Sequence, residues 1–149
     1  MDTNNKKSLS IEEVLEKDGV YISTTVGVSM YPLFQNRRDT IIVEKPSDRL
    51  KKYDVPLYKR GEQYYLHRIL KVLPDGYIIC GDNCVTKEYD ITDKEIIGVL
   101  KAFYRKNKYS TVDSFGYRVY SVLWSHTYLA RKISKRIYSL FLRLFRKKQ

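Results

Sequence analysis

Acidic side chains almost vanish from the last third of this 149-residue chain. Residues 101–149 hold 13 Lys and Arg against the single acid Asp113, whereas residues 1–100 are balanced at 15 basic and 16 acidic side chains. Such an asymmetry calls for an anionic partner for the tail, either a membrane surface or nucleic acid. Cysteine is scarce as well. Cys80 and Cys84 are separated only by Gly81-Asp82-Asn83, and no second Cys or His pair lies nearby to complete a tetrahedral metal site. Zinc is therefore not expected, nor any cofactor, and two reduced thiols are expected in preference to a disulfide. Long apolar runs are missing too. The first twenty residues are polar, so neither a cleavable signal nor a membrane span is expected within them. The longest apolar-tolerant stretch, 117–130, is interrupted and short for a span. What is present, 43% hydrophobic residues, excludes wholesale disorder and suits one domain with a modest core.

The pattern along the chain predicts three parts. Residues 1–19 comprise a polar start, expected to be disordered through residue 7, and a short helix from Ser8 to Lys17. Ser10 and Glu13 have capping-box spacing, Ile11, Val14 and Leu15 supply the apolar stripe, and Asp18-Gly19 ends the helix. Residues 20–104 read as short strands at 20–26, 40–44, 55–59, 64–72, 76–80 and 96–103, with a hairpin turn at Leu73-Pro74-Asp75-Gly76. Pro46 and Pro56 mark edges or bends. Residues 105–149 read as a basic helical tail beginning near Phe115, capped by Asp113 or Ser114. In it Leu129, Ile133, Ile137, Leu140 and Leu144 follow steps of four, four, three and four, widened by Phe141 and Phe145 and flanked by Lys132, Lys135, Arg136, Arg143, Arg146 and Lys147. The fold class predicted is mainly β: a small antiparallel β domain with a short N-terminal helix and a C-terminal helical extension.

The most specific stretch is Val26-Gly27-Val28-Ser29-Met30-Tyr31-Pro32. Pro32 restricts the backbone just after Ser29 and would hold its hydroxyl in one place. Serine alone is a poor nucleophile and needs a base within hydrogen-bond reach. Only His67 and His126 supply a neutral imidazole, with lysine the other option. His67 is followed by Arg68 in a strand-like run, and Gly81-Asp82-Asn83 could contribute an acid that orients the imidazole. His126, in the tail, is assigned to packing or an interface.

Taken in order, Ser29-Met30-Tyr31-Pro32, the aliphatic strand after Asp39, Asp54-Val55, His67-Arg68, Gly81-Asp82-Asn83 and Ile97-Gly98-Val99 resemble the blocks of the type I signal peptidase and LexA-type superfamily. The resemblance covers roughly residues 20–103. Bacterial signal peptidases and LexA-type repressors use lysine as base, and the endoplasmic-reticulum and archaeal type uses histidine. His67 therefore resembles the Ser-His branch. The resemblance implies that Ser29 attacks the scissile carbonyl, that His67 takes and returns the proton, and that the Ser29 N–H helps hold the oxyanion. It places the orienting acid at Glu88, where the family has Asp, with Asp82 and Asp90 as neighbouring alternatives. Other departures are Gly27-Val28 where the family has Ser-Gly, and Arg38 and Tyr53 where it has glycine; the family's N-terminal membrane anchor is likewise not expected here.

The expected activity is thus that of a serine endopeptidase cleaving a signal or leader segment from a precursor peptide, with catalytic Ser29 and His67 and an acid from Glu88 or Asp82. The substrate is expected to be extended, with small residues before the cut. The basic amphipathic tail predicts peripheral attachment to an anionic membrane surface, a cytoplasmic face included, with no nucleic-acid partner. Two other readings stay open. One is a LexA-like self-cleaving or DNA-associated regulator, against which stand the absence of a helix-turn-helix before the β domain and the histidine at the base position. The other is a catalytically silent peptide-binding module.

Overall fold

A computed structural model describes residues 9–146 of the chain, with side chains as far as Phe141. The polar start, and the side chains of Arg143, Leu144, Phe145, Arg146 and Lys147, lie outside the described residues.

Helix α1 (Ile11–Asp18) starts at a complete capping box: Ser10 accepts from the Glu13 amide, and Glu13 accepts from the Ser10 amide. It ends at Gly19, whose φ of 71° is the left-handed turn that glycine adopts without a Cβ penalty. Its one fully buried residue, Leu15, points at the sheet.

Among the described residues nine antiparallel strands follow, in two sheets. The first runs β1 (Val20–Thr24), β2 (Thr40–Glu44), β8 (Ile96–Arg105), β3 (Pro56–Arg60), β4 (Gln63–Leu66), with β9 (Lys108–Thr111) also on β8. The second holds β5 (Arg68–Leu73), β6 (Gly76–Cys80) and β7 (Glu88–Ile91). One core, around Phe34, Val43, Leu57 and Leu100, lies under the first sheet; another, around Tyr58, Ile69, Tyr77 and Ile79, lies between the sheets.

The segment expected as one strand over 64–72 is two strands, and the break is at His67. Leu66 pairs with Leu57 in the first sheet while Arg68 pairs with Cys80 in the second. No Gly, Pro or turn residue interrupts 64–72, so the sequence reads as unbroken; what changes is the partner strand. Pro56 opens β3, which is flanked on both sides and is not an edge strand. Two short strands exceed the sequence expectation. β7 carries two acids and is held by pairing with β6 and by the buried Ile91. β9 extends the β structure to Thr111, past the boundary expected at 104.

The helical region is two helices, α2 (Phe115–His126) and α3 (Tyr128–Arg146), with Thr127 between them. Ser114 is the N-cap residue of α2, without a side-chain cap bond. α2 packs back on the β domain through Tyr117 and Ser121. α3 docks by its basic side: Arg131 reaches the Asp82 carbonyl, and Lys135 reaches the Asn83 carbonyl and, at 2.7 Å, Asn83 Oδ1. Its apolar stripe of Leu129, Ile133, Ile137 and Leu140 faces away and is exposed. No helix among the described residues is long and apolar enough to cross a membrane.

Candidate active site

His67 sits where the chain leaves one sheet for the other, and the crossing buries it to 7% exposure. Its ring lies 5.9 Å from the rings of Tyr58 and Tyr65. Nδ1 is 2.9 Å from Glu88 Oε1 and 2.8 Å from the Tyr58 hydroxyl. Nε2 is buried and has no hydrogen-bond partner among the described residues. A buried ring nitrogen left without a partner costs free energy, and a catalytic role is one physical reason for a fold to keep one.

Glu88 opens β7, and its pairing with Ile79 carries the carboxylate to the His67 junction. Oε1 also accepts from the Tyr58 hydroxyl at 2.6 Å, and Oε2 from Arg60 at 3.0 Å. Asp90, two residues on, points the same way along the strand but pairs with Arg60 and is largely exposed.

Asp82 is not on the imidazole. Both its oxygens face the guanidinium of Arg68, at 2.9 Å from Nε and 2.8 Å from Nη2, and Oδ2 also accepts from the Tyr120 hydroxyl at 2.9 Å. Arg68 is fully buried and bonded besides to the Tyr53 carbonyl, Tyr117 and Ser121. Burial pulls that guanidinium down, but the hydrogen bonds and charge of Asp82 hold it above its ordinary value. The pair is structural: it ties β5, the Gly81-Asp82-Asn83 turn and α2 together.

Ser29 lies in a run of turns between β1 and β2, half-buried beside buried Met30, Leu33 and Phe34; the Tyr31–Pro32 peptide is cis. Asn83 grips this loop twice. Its amide donates to the Ser29 carbonyl at 2.7 Å, and its side chain donates to the Val28 carbonyl at 3.1 Å, which also accepts from the Tyr31 amide. In a trans peptide the C=O and N–H point in opposite directions, so fixing the Val28 carbonyl turns the Ser29 N–H away from these donors.

Gly81 brings base and loop together. A methyl group there would lie 2.7 Å from the Ser29 carbonyl, 2.8 Å from Cys84 Sγ and 3.0 Å from His67 Cδ2, so only glycine permits this approach. Ser29 and His67 line one cleft of about 650 Å³, with Tyr21, Phe34, Leu57 and Leu66 among its apolar walls. No hydrogen bond joins the Ser29 hydroxyl to Nε2, a bond that in hydrolases often tightens only when substrate is bound.

Cys84 also lines the cleft, but both cysteines are free thiols raised by burial, Cys80 to about 12. Neither is a ready thiolate nucleophile. His126 is near the Tyr53 hydroxyl, at 3.4 Å, remote from the cleft. Among the described residues no cluster of His, Cys, Asp and Glu could hold a metal ion. Sequence reasoning missed Tyr58, which lies within the strand expected over 55–59 without being singled out there, and the grip of Asn83 on Ser29. Position along β3 could have signalled Tyr58 only if the β3–β4 register were known.

The sequence matches none of the protein-family models it was scanned against, and no curated protein is similar enough to match, so the functional reading rests on the residues and their geometry.

Proposed function

We propose that the protein is a serine endopeptidase of the type I signal peptidase kind, using Ser29 as nucleophile and His67 as general base. The observation that carries the reading is the buried, unpartnered Nε2 of His67, a residue that lines the same cleft as Ser29, while Nδ1 is tied to Glu88. In this mechanism the Ser29 oxygen bonds to the scissile carbonyl carbon as its proton passes to Nε2. The carbonyl oxygen takes the negative charge, and the Ser29 N–H is the available oxyanion donor. Glu88 balances the imidazolium. The tetrahedral species collapses, the C–N bond breaks, and the leaving amine takes the proton from His67. Water then adds to the acyl group, giving its proton to Nε2, and the released Ser29 oxygen recovers it.

The edge of β1 supports an extended substrate. That strand pairs only with β2 among the described residues, and Tyr21, Ser23 and Thr24 line the cleft. A precursor peptide could add a strand there and run past Ser29. The outward apolar stripe of α3, with cationic Lys132 and Arg136 beside it, supports attachment to an anionic membrane surface. The deciding experiment is labelling with a fluorophosphonate. Wild type reacts and Ser29→Ala does not, while His67→Ala reacts at least about 100-fold more slowly. Equal labelling of wild type and Ser29→Ala refutes the assignment, and an unreactive wild type leaves a peptide-binding module.

A further inference from the structure

Three heteroatoms meet at the closed end of the site. Tyr58 Oη and Glu88 Oε1 are 2.6 Å apart, Tyr58 Oη and His67 Nδ1 2.8 Å, and His67 Nδ1 and Glu88 Oε1 2.9 Å. Tyr58 is fully buried in β3, its ring stacked on Tyr65 at 5.7 Å, so the hydroxyl has no solvent to turn to. Two oxygens 2.6 Å apart require a proton between them, and a carboxylate attracts it more strongly than a neutral ring nitrogen. Burial and then Glu88 raise the phenol well above its ordinary value, so it keeps that proton. With its proton pointed at Glu88, the phenol presents only lone pairs to His67, as does Oε1. Nδ1, facing lone pairs on both sides, must be the donor.

We propose that Tyr58 is a positioning residue whose hydroxyl, oriented by Glu88, fixes His67 as the Nδ1–H tautomer and leaves the Nε2 lone pair for Ser29. The inference rests on the reading of His67 as the base of Ser29, and it adds a dependence that a plain Ser-His-acid triad lacks. The same hydroxyl that helps while Glu88 is present works against the base once Glu88 is gone. Without a carboxylate acceptor, the buried phenol turns its proton to the nearest remaining acceptor, Nδ1. The imidazole then carries its own proton on Nε2, where it cannot accept one from serine. Glu88→Gln has the same result by another route. Arg60 donates to this side chain at 3.0 Å, so the amide oxygen turns to Arg60 and the NH₂ turns to His67.

The test combines ¹⁵N NMR of the His67 ring in the full-length protein, which distinguishes the two tautomers, with fluorophosphonate labelling rates. Wild type and Tyr58→Phe should show Nδ1–H. Glu88→Leu should show Nε2–H and label about 10³-fold or more slowly, as for other wrong-tautomer hydrolase variants. Should Glu88→Leu not fold, Glu88→Gln should show the same tautomer. Tyr58→Phe should slow labelling about tenfold with Glu88 present. With Glu88→Leu it should instead speed labelling about tenfold, with both tautomers visible. Retention of Nδ1–H in both Glu88 variants, or slowing by Tyr58→Phe in both backgrounds, overturns the proposal. If the tautomers shift as stated but wild type never labels, the Tyr58 inference stands and the peptidase reading falls.

Discussion

Replacing Asp82 by Asn separates the two acids that the sequence offered for one role. Arg68 and Asp82 are 0% and 3% exposed in their side chains, and no water reaches the guanidinium once its partner is neutral. Asn fills the same volume but keeps one acceptor oxygen, which serves Arg68 Nη2 and Tyr120, so its NH₂ faces the Arg68 Nε–H from which the carboxylate had accepted. Removing one partner of a buried, hydrogen-bonded ion pair costs about 3–5 kcal/mol, chiefly because the other charge stays buried and uncompensated. For a chain of this length each kcal/mol lowers Tm by roughly 2–4 °C, giving a fall of about 6–20 °C. The assay is thermal unfolding by circular dichroism, paired with fluorophosphonate labelling at a temperature where the variant is fully folded. The expected result is a large drop in Tm and labelling within about tenfold of wild type, because Asp82 does not touch His67. An unchanged Tm together with labelling lost by 10³-fold or more would refute the structural role and return Asp82 to the imidazole.

Gly81→Ala inserts a methyl 2.7 Å from the Ser29 carbonyl and 3.0 Å from His67 Cδ2, and relieving it moves the serine loop or the Gly81 turn and so changes how the two approach. Labelling should fall at least about tenfold with a stability loss of about 1–3 kcal/mol in urea titration, and unchanged labelling contradicts the close approach. Changing Ile133, Ile137 and Leu140 together to Ser should weaken binding to anionic vesicles by at least about 100-fold in a flotation assay, since each removes an exposed apolar side chain. Equal flotation rejects the interfacial helix. Asp39 is fully buried, and although burial pushes its carboxyl up, Arg38 and the amides of Gln35 and Lys106 hold it below its ordinary value. A lowered folded pKa gives stability that is complete above the unfolded value of about 4 and is lost as pH falls through the folded one. Asp39→Asn should therefore lower Tm at neutral pH, with the gap to wild type narrowing below about pH 4; a gap independent of pH contradicts this.

Local chemistry was legible in the sequence. The Ser10–Glu13 box, the β2 run and the turn before Gly76 each depend on residues within a few positions, and each falls where the pattern puts it. Pairing was not legible. Nothing around residue 67 announces a change of sheet, because side-chain alternation is indifferent to which strand lies alongside. β7 carries Glu88 and Asp90 in a run of four residues, too short to stand out in the sequence, and it is held as a strand by pairing with β6. The candidate acids show the same limit. Asp82, Glu88 and Asp90 are equivalent in type and close in sequence, and their separate fates are set elsewhere in the chain: Arg68 takes Asp82, His67 and Tyr58 take Glu88, and Asp90 has Arg60.

The tail and the cleft, which the sequence presents as unrelated parts, meet at one residue. Asn83 holds the carbonyls of Val28 and Ser29 on one side and is held by Lys135 of α3 on the other. α3 must present Arg131 and Lys135, four residues apart, to this turn, and the helical period then forces Leu129, Ile133, Ile137 and Leu140 onto a different side. The outward apolar stripe is thus a geometric consequence of anchoring the serine loop, and a membrane bound along that stripe would lie across the helix from the contact that anchors it.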